Sequence, residues 1–141
     1  MQDRIHGMRR VARLLAVAGV AFGTLHGQAF ARENVAGAPI AIECGGIGED
    51  EAARMRAEGA SRALMIQFLT IDGGFLADVH TRVDDPLRDL RAEADCGPIG
   101  LVDVASAGRY RVTASYDGRV QEHWVNLKPG GGARMVLRWL E

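Results

Sequence analysis

From Gly108 to Tyr116 the chain alternates: Tyr110, Val112, Ala114 and Tyr116 share one parity, while Arg109, Arg111, Thr113 and Ser115 share the other. Successive strand residues point to opposite faces, so this stretch is a strand with one side in a core and one in water. It runs into Asp117-Gly118, a pair that favours the tight two-residue turn of a β-hairpin. Arg119–Leu127 is therefore the returning strand.

Other segments repeat the pattern. Leu64–Leu69 is mostly apolar and leads to the turn Asp72-Gly73-Gly74. In 77–83, Ala77, Val79, Thr81 and Val83 face one way, and Asp78, His80 and Arg82 the other. Ile99–Val104 is a short apolar strand. After the Lys128–Gly132 turn, Arg134–Leu140 places Met135, Leu137 and Trp139 on one side. Asp85–Cys96 has two readings. Alternation of Leu90, Ala92, Ala94 and Cys96 with charged residues fits a strand, whereas Asp85-Pro86 with Leu87, Leu90 and Ala94 fits a helix start. The β surroundings favour the strand, giving seven strands spaced as in an all-β sandwich. Ahead of them, acids at Glu49, Asp50 and Glu51 open a helix that runs to Glu58 and stops at Gly59. Its apolar face holds only Ala52, Ala53 and Met55, which predicts a short surface helix. Arg32–Ala41 is a loose lead-in, and 44–48 a flexible turn.

The N-terminal residues carry an address. Arg9-Arg10 precede an apolar run from Val11 to Leu25, followed by Ala29-Phe30-Ala31 and then charged Arg32-Glu33. A positive end, an apolar stretch and a small-x-small site describe a secretory signal peptide cleaved between Ala31 and Arg32. Met8 also begins a compact signal, so Met1 and Met8 are alternative starts. The expected organisation is a signal at 1–31, a lead-in with the helix at 32–62, and the sandwich at 63–141. Nothing after the signal approaches membrane-spanning length, and a periplasmic or secreted location follows. Four of the 17 basic residues and one of the 18 acidic ones fall in 1–31, leaving 13 against 17 in the remainder. That mildly acidic balance argues against nucleic acid as a partner, because phosphate binding needs clustered positive charge.

Export gives the two cysteines a meaning. Cys44 and Cys96 are the only pair available, and an oxidising compartment favours a disulfide between them. Two buried thiols, or one edge thiol joining two chains, are the alternatives.

The stretch Ala107-Gly108-Arg109-Tyr110-Arg111-Val112-Thr113-Ala114-Ser115-Tyr116-Asp117-Gly118, with Val125-Asn126-Leu127-Lys128-Pro129-Gly130-Gly131 after it, resembles the end of carboxypeptidase regulatory-like domains. Ala107 stands where these small transthyretin-like sandwiches usually have proline. The 45–51 segment, Leu76-Ala77-Asp78-Val79 and Arg138-Trp139 look like small exported bacterial proteins of unassigned function within that group. The likeness spans about Gly45 to Trp139. It implies a seven-stranded transthyretin-like or Ig-like β-sandwich, a strand before Gly97-Pro98, and a binding or structural accessory of the envelope rather than a catalyst. The cysteine pair is not part of that pattern.

The chemistry-bearing residues are few. His80 sits among polar neighbours. His123 shares parity with Val125 and Leu127, a half-buried position. No H-E-x-x-H, H-x-H or C-x-x-C spacing accompanies them, so no metal site and no cofactor are expected. Ser61, Ser106 and Ser115 lie in no G-x-S-x-G context. Asp84 and Asp85 point to opposite faces of a strand and cannot act as an acid–base pair. Gly45-Gly46-Ile47-Gly48 lacks the Lys-Ser/Thr of a phosphate loop, and acids follow it. A non-enzyme is the first expectation. A small transthyretin-like hydrolase or a periplasmic metal-binding protein are the alternatives. Tyr110 and Trp139 suit core positions with a hydrogen-bonding handle. Phe75, Tyr116 and Trp124 lie near turns and strand ends, where aromatics contribute to contacts with another envelope or extracellular protein, or with a glycan.

Overall fold

A computed structural model describes residues 38–141; Ala31 and Arg32, the expected cleavage pair, lie outside the described residues. The elements are β1 (Ile40–Gly45), α1 (Glu49–Glu58), a 3₁₀ turn (Gly59–Ser61), β2 (Leu64–Thr70), β3 (Val79–Asp85), β4 (Leu90–Cys96), β5 (Ile99–Val104), β6 (Gly108–Tyr116), β7 (Arg119–Leu127) and β8 (Ala133–Trp139). They form two four-stranded sheets, ordered β1-β5-β2-β8 and β4-β3-β6-β7. All neighbours are antiparallel except β2 and β8. Leu64, Ile66, Phe68, Val102 and Leu137 of the first sheet meet Val79, Val83, Tyr110, Val112 and Ala114 of the second in one core.

The strands number eight among the described residues, not seven. The extra one, β1, comes from the end of the segment expected to be a loose lead-in. Only Ile40 and Ile42 alternate there, between Pro39 and Gly45-Gly46, so local sequence reads as loop. Pairing with β5, from Ile40 opposite Val104 to Gly45 opposite Ile99, makes it a strand.

The helix falls at Glu49–Glu58, where its acids and Gly59 put it. It does more than lie on the surface. Ala52 and Met55 pack against Met65, Ile99 and Leu101 on the outer side of the first sheet. This explains why β2 and β5 read as near-continuous apolar runs: their central residues are covered on both sides. Ala53, expected on the apolar face, is exposed instead, because Ala52 and Met55 alone fill the contact. Arg54 and Arg62 bind Glu43 and Glu58, and Arg62 also binds Asp103, tying helix to sheet.

The ambiguous segment settles as β4, paired along its length with β3. Asp85 does cap, but it caps a turn: its Oδ1 accepts the backbone N–H groups of Leu87 at 3.1 Å and Arg88 at 3.4 Å. Asp89 then takes a positive φ of 54°, which ends any helical continuation. Asp84 and Asp85 do part to opposite faces. Asp84 receives the Arg111 Nε–H at 3.0 Å on the outer face. Asp85 binds Arg88, whose Nη2 donates to the Tyr110 hydroxyl at 3.1 Å.

The hydrogen bond from Arg88 holds the Asp85 carboxyl below its ordinary range, and those from Arg54 and Arg62 do the same for Glu58. A carboxyl with a lowered folded-state pKa contributes stability that is present above its unfolded value and lost as pH falls through the folded one. Thermal midpoints are expected to hold at neutral pH and to fall below about pH 4. In Asp85→Asn that acid-side decline should be shallower, and an identical decline in a pH series would remove Asp85 from the account.

The long sides of the sandwich close differently. On one, a disulfide joins Cys44 of β1 to Cys96 of β4, with Cα atoms 4.8 Å apart. On the other, β7 side chains reach the β8 backbone: Gln121 Nε2 donates to the Arg138 carbonyl at 2.6 Å, and Arg119 donates to that of Leu140. In return, the Trp139 indole N–H donates to the Arg119 carbonyl at 3.2 Å.

Candidate functional site

Two segments leave the disulfide. Gly45-Gly46-Ile47-Gly48 follows Cys44, and Gly97-Pro98-Ile99 follows Cys96. Both enter the wall of one groove of about 560 Å³, with Ala52 and Arg56 of α1, and with Phe75 and Ala77 between β2 and β3. The groove is mostly apolar, and its rim carries two large exposed side chains, Ile47 at 80% and Phe75 at 66% exposure.

Local chemistry fixes both. The Thr70–Gly74 turn is tight: Thr70 N–H donates to the Gly74 carbonyl at 2.7 Å, and Gly74 N–H to the Thr70 hydroxyl at 2.8 Å. The Thr70 hydroxyl also bonds Asp72 and holds its carboxyl below the ordinary range. The chain then resumes extended pairing, with Phe75 opposite Leu69 and the Leu76 N–H on the Phe68 carbonyl at 3.0 Å. Alternation does the rest, sending Leu76 into the core and Phe75 outward. Across the groove, Glu51 Oε2 accepts the Gly46 N–H at 3.1 Å and holds the loop that presents Ile47. Gly97 has φ +126°, and a Cβ there would lie 2.2 Å from the Leu76 carbonyl oxygen. Only glycine allows that approach. Its peptide bond to Pro98 is cis.

Glu49 and Arg56 are the charged residues of the lining. They stand seven residues apart along α1, roughly 10 Å at the helical rise. Arg56 makes no ion pair among the described residues, unlike Arg54 and Arg62 nearby.

The three aromatics expected at contacts do not come together. Phe75 rims the groove. Trp124 lies on the outer face of the second sheet, 44% exposed, with the Arg109 and Arg111 guanidinium carbons 5.0 and 5.5 Å from its ring centroid. Tyr116 is half-buried, edge-on to Trp139 at 6.2 Å, and Trp139 stacks on Phe68 at 6.3 Å. Tyr116 thus belongs to the packing at the β7–β8 side.

No protein-family model, curated protein or solved structure matches this chain. Its site is read from its own chemistry. His80 Nδ1 lies 3.0 Å from Asp95 Oδ1 on the exposed face. His123, expected half-buried, is exposed on the edge strand β7 and lies 3.3 Å from Gln121 Oε1. Register puts the two histidines on opposite faces, His80 beside outward Ser115 and His123 beside inward Val112. Among the described residues no group of three or more His, Cys, Asp and Glu side chains converges, and no helix is long and apolar enough to cross a membrane. Sequence reasoning missed Ile47, Pro98 and Arg56. Ile47 had a signal: a large apolar residue between turn glycines has no core to enter.

Proposed function

We propose that the mature chain is an exported, non-catalytic binding domain of the bacterial cell envelope, built as a transthyretin-like sandwich of the carboxypeptidase regulatory-like kind. The observation that carries this reading is the groove between Ile47 and Phe75. Its volume lies within the range of specific binding clefts. Two exposed apolar side chains on short, hydrogen-bonded loops form a preorganised contact surface, which lowers the ordering cost of association. The occupant is a segment of an envelope protein, with an apolar side chain seated between Ile47 and Phe75. A cation toward Glu49 and an anion toward Arg56 complete its match to the two ends of the groove. The disulfide and the secretory pattern at 1–31 support the location. The resemblance to accessory domains supports the absence of chemistry.

A photo-crosslinking residue at Phe75 tests this in cells expressing the whole chain. A discrete adduct should form in the envelope fraction, on protein whose first residue is Arg32. Ile47→Asp should reduce the adduct about tenfold or more, as for a central contact residue. The thermal midpoint should barely move, since both side chains face solvent. An undiminished adduct in Ile47→Asp would overturn the site. Recovery of the chain with Met1 or Met8 still attached would overturn export.

A further inference from the structure

The far end of β2, about 20 Å from the Phe75 groove at the strand rise, carries a second pocket of different character. It encloses about 420 Å³ where β6 starts, β7 ends and β8 begins, and its lining includes Ala63, Gly108, Arg109, Asn126 and Lys128. Among the described residues, two cations line it and no carboxylate does. Neither Arg109 nor Lys128 makes an ion pair among the described residues. The two therefore stand together without a counter-charge, although the described residues carry 16 acidic groups against 12 basic ones. The Lys128 side chain lies over Gly131, where a Cβ would come within 2.7 Å of Lys128 Cγ.

The pocket continues onto the outer face of the second sheet. Arg109 pairs across strands with Asn126, and Arg111 with Trp124. These four side chains make a square of two guanidiniums, one amide and one indole. Asp84 pairs with Arg111, whereas Arg109 has no ion-pair partner among the described residues, and both guanidiniums lie over the Trp124 ring. Along β7, Trp124 and Asn126 are successive outward positions, about 7 Å apart at the strand rise.

We infer that this pocket and the adjoining Trp124 bind an acidic oligosaccharide. The Arg109 and Lys128 side chains hold a sugar carboxylate, Asn126 bonds the ring hydroxyls, and a neighbouring ring packs on Trp124. A guanidinium pairs with a carboxylate through parallel hydrogen bonds, and the part of the Trp124 indole that Arg109 and Arg111 leave exposed gives a ring an apolar surface with little ordering cost. Nucleic acid fits less well, since its closely spaced phosphates need a broader positive field than one pocket in an acidic domain supplies. This site is independent of the Phe75 groove.

The probe is a galacturonate tetramer, titrated against the full chain by tryptophan fluorescence. Trp139 is 3% exposed, so Trp124 dominates the response. Saturable binding is expected, with the same tetramer reduced to neutral galactose about tenfold weaker or worse. Arg109→Ala and Lys128→Ala should each weaken the acid by roughly tenfold, with circular dichroism unchanged. Arg109→Lys should lie between Arg109→Ala and the wild type. Phe75→Asp should bind as the wild type does, which separates this site from the groove. Equal affinity for the neutral tetramer would overturn the inference. So would binding unaffected by Arg109→Ala and Lys128→Ala together, or tighter binding to phosphatidylglycerol vesicles or single-stranded DNA.

Discussion

Breaking the Cys44–Cys96 bond is expected to lower the stability of the domain by about 4 kcal/mol, the chain-entropy value for a closed loop of this length. The bonded residues are 52 positions apart in sequence. Typical domains have only about 5–15 kcal/mol in total, so the loss is a large fraction, and the thermal midpoint should fall by roughly 15–25 °C. The consequence is also local. Cys44 leads directly into the Ile47 loop and Cys96 into Pro98 and Ile99, so the bond ties together two walls of the groove. Hydrogen exchange at 45–48, Gly97 and Ile99 should therefore accelerate before the rest of the sandwich opens. Calorimetry of Cys44→Ala/Cys96→Ala beside the oxidised protein decides the matter. The double alanine keeps an apolar side chain at Cys96, which is fully buried, so packing loss stays small beside the cross-link. A midpoint within a few degrees of the oxidised protein would show that β1–β4 packing alone closes that side.

The sequence made most of this fold legible because each strand of the second sheet has one wet face. Arg109, Arg111 and Ser115 advertise the outward parity of β6 as clearly as Tyr110 and Val112 advertise the inward one. β1 was illegible for the opposite reason. Its two isoleucines give too short a pattern, and its identity rests on β5, some sixty residues away. The role of α1 as a cover was hidden as well, since an apolar contact of Ala52 and Met55 matches that of a marginal surface helix. The partner of that contact, Met65-Leu101, is nonlocal. The candidate site was half legible. Phe75 could be placed at an exposed turn, but its companions Ile47 and Pro98 reach it through tertiary structure. Tyr116 shows the limit of position-based reasoning: a strand-end aromatic faces solvent or packs according to what the opposing sheet puts beneath it, here Trp139.

Tyr110 is the residue whose loss should cost most after the disulfide. It is fully buried, and its hydroxyl donates to the Ser106 carbonyl at 2.6 Å, four residues upstream. That bond pins the β5–β6 corner against the start of β6, the arrangement known in sandwich domains as a tyrosine corner. The same hydroxyl accepts from Arg88, whose guanidinium also lies 5.6 Å from the ring centroid and binds Asp85. One side chain therefore joins the core, the β5–β6 corner and the β3–β4 turn. Tyr110→Ala should cost about 3–5 kcal/mol, the range for emptying an aromatic site in a packed core. Tyr110→Phe keeps the ring and removes only the polar link, for about 1 kcal/mol. The two values separate packing from hydrogen bonding, and urea unfolding midpoints measure both. Because Arg88 bridges Tyr110 and Asp85, Tyr110→Phe and Asp85→Asn should be non-additive when combined, as expected for members of one network. Strict additivity would mean that the corner and the β3–β4 turn are held independently, with Arg88 carrying nothing between them.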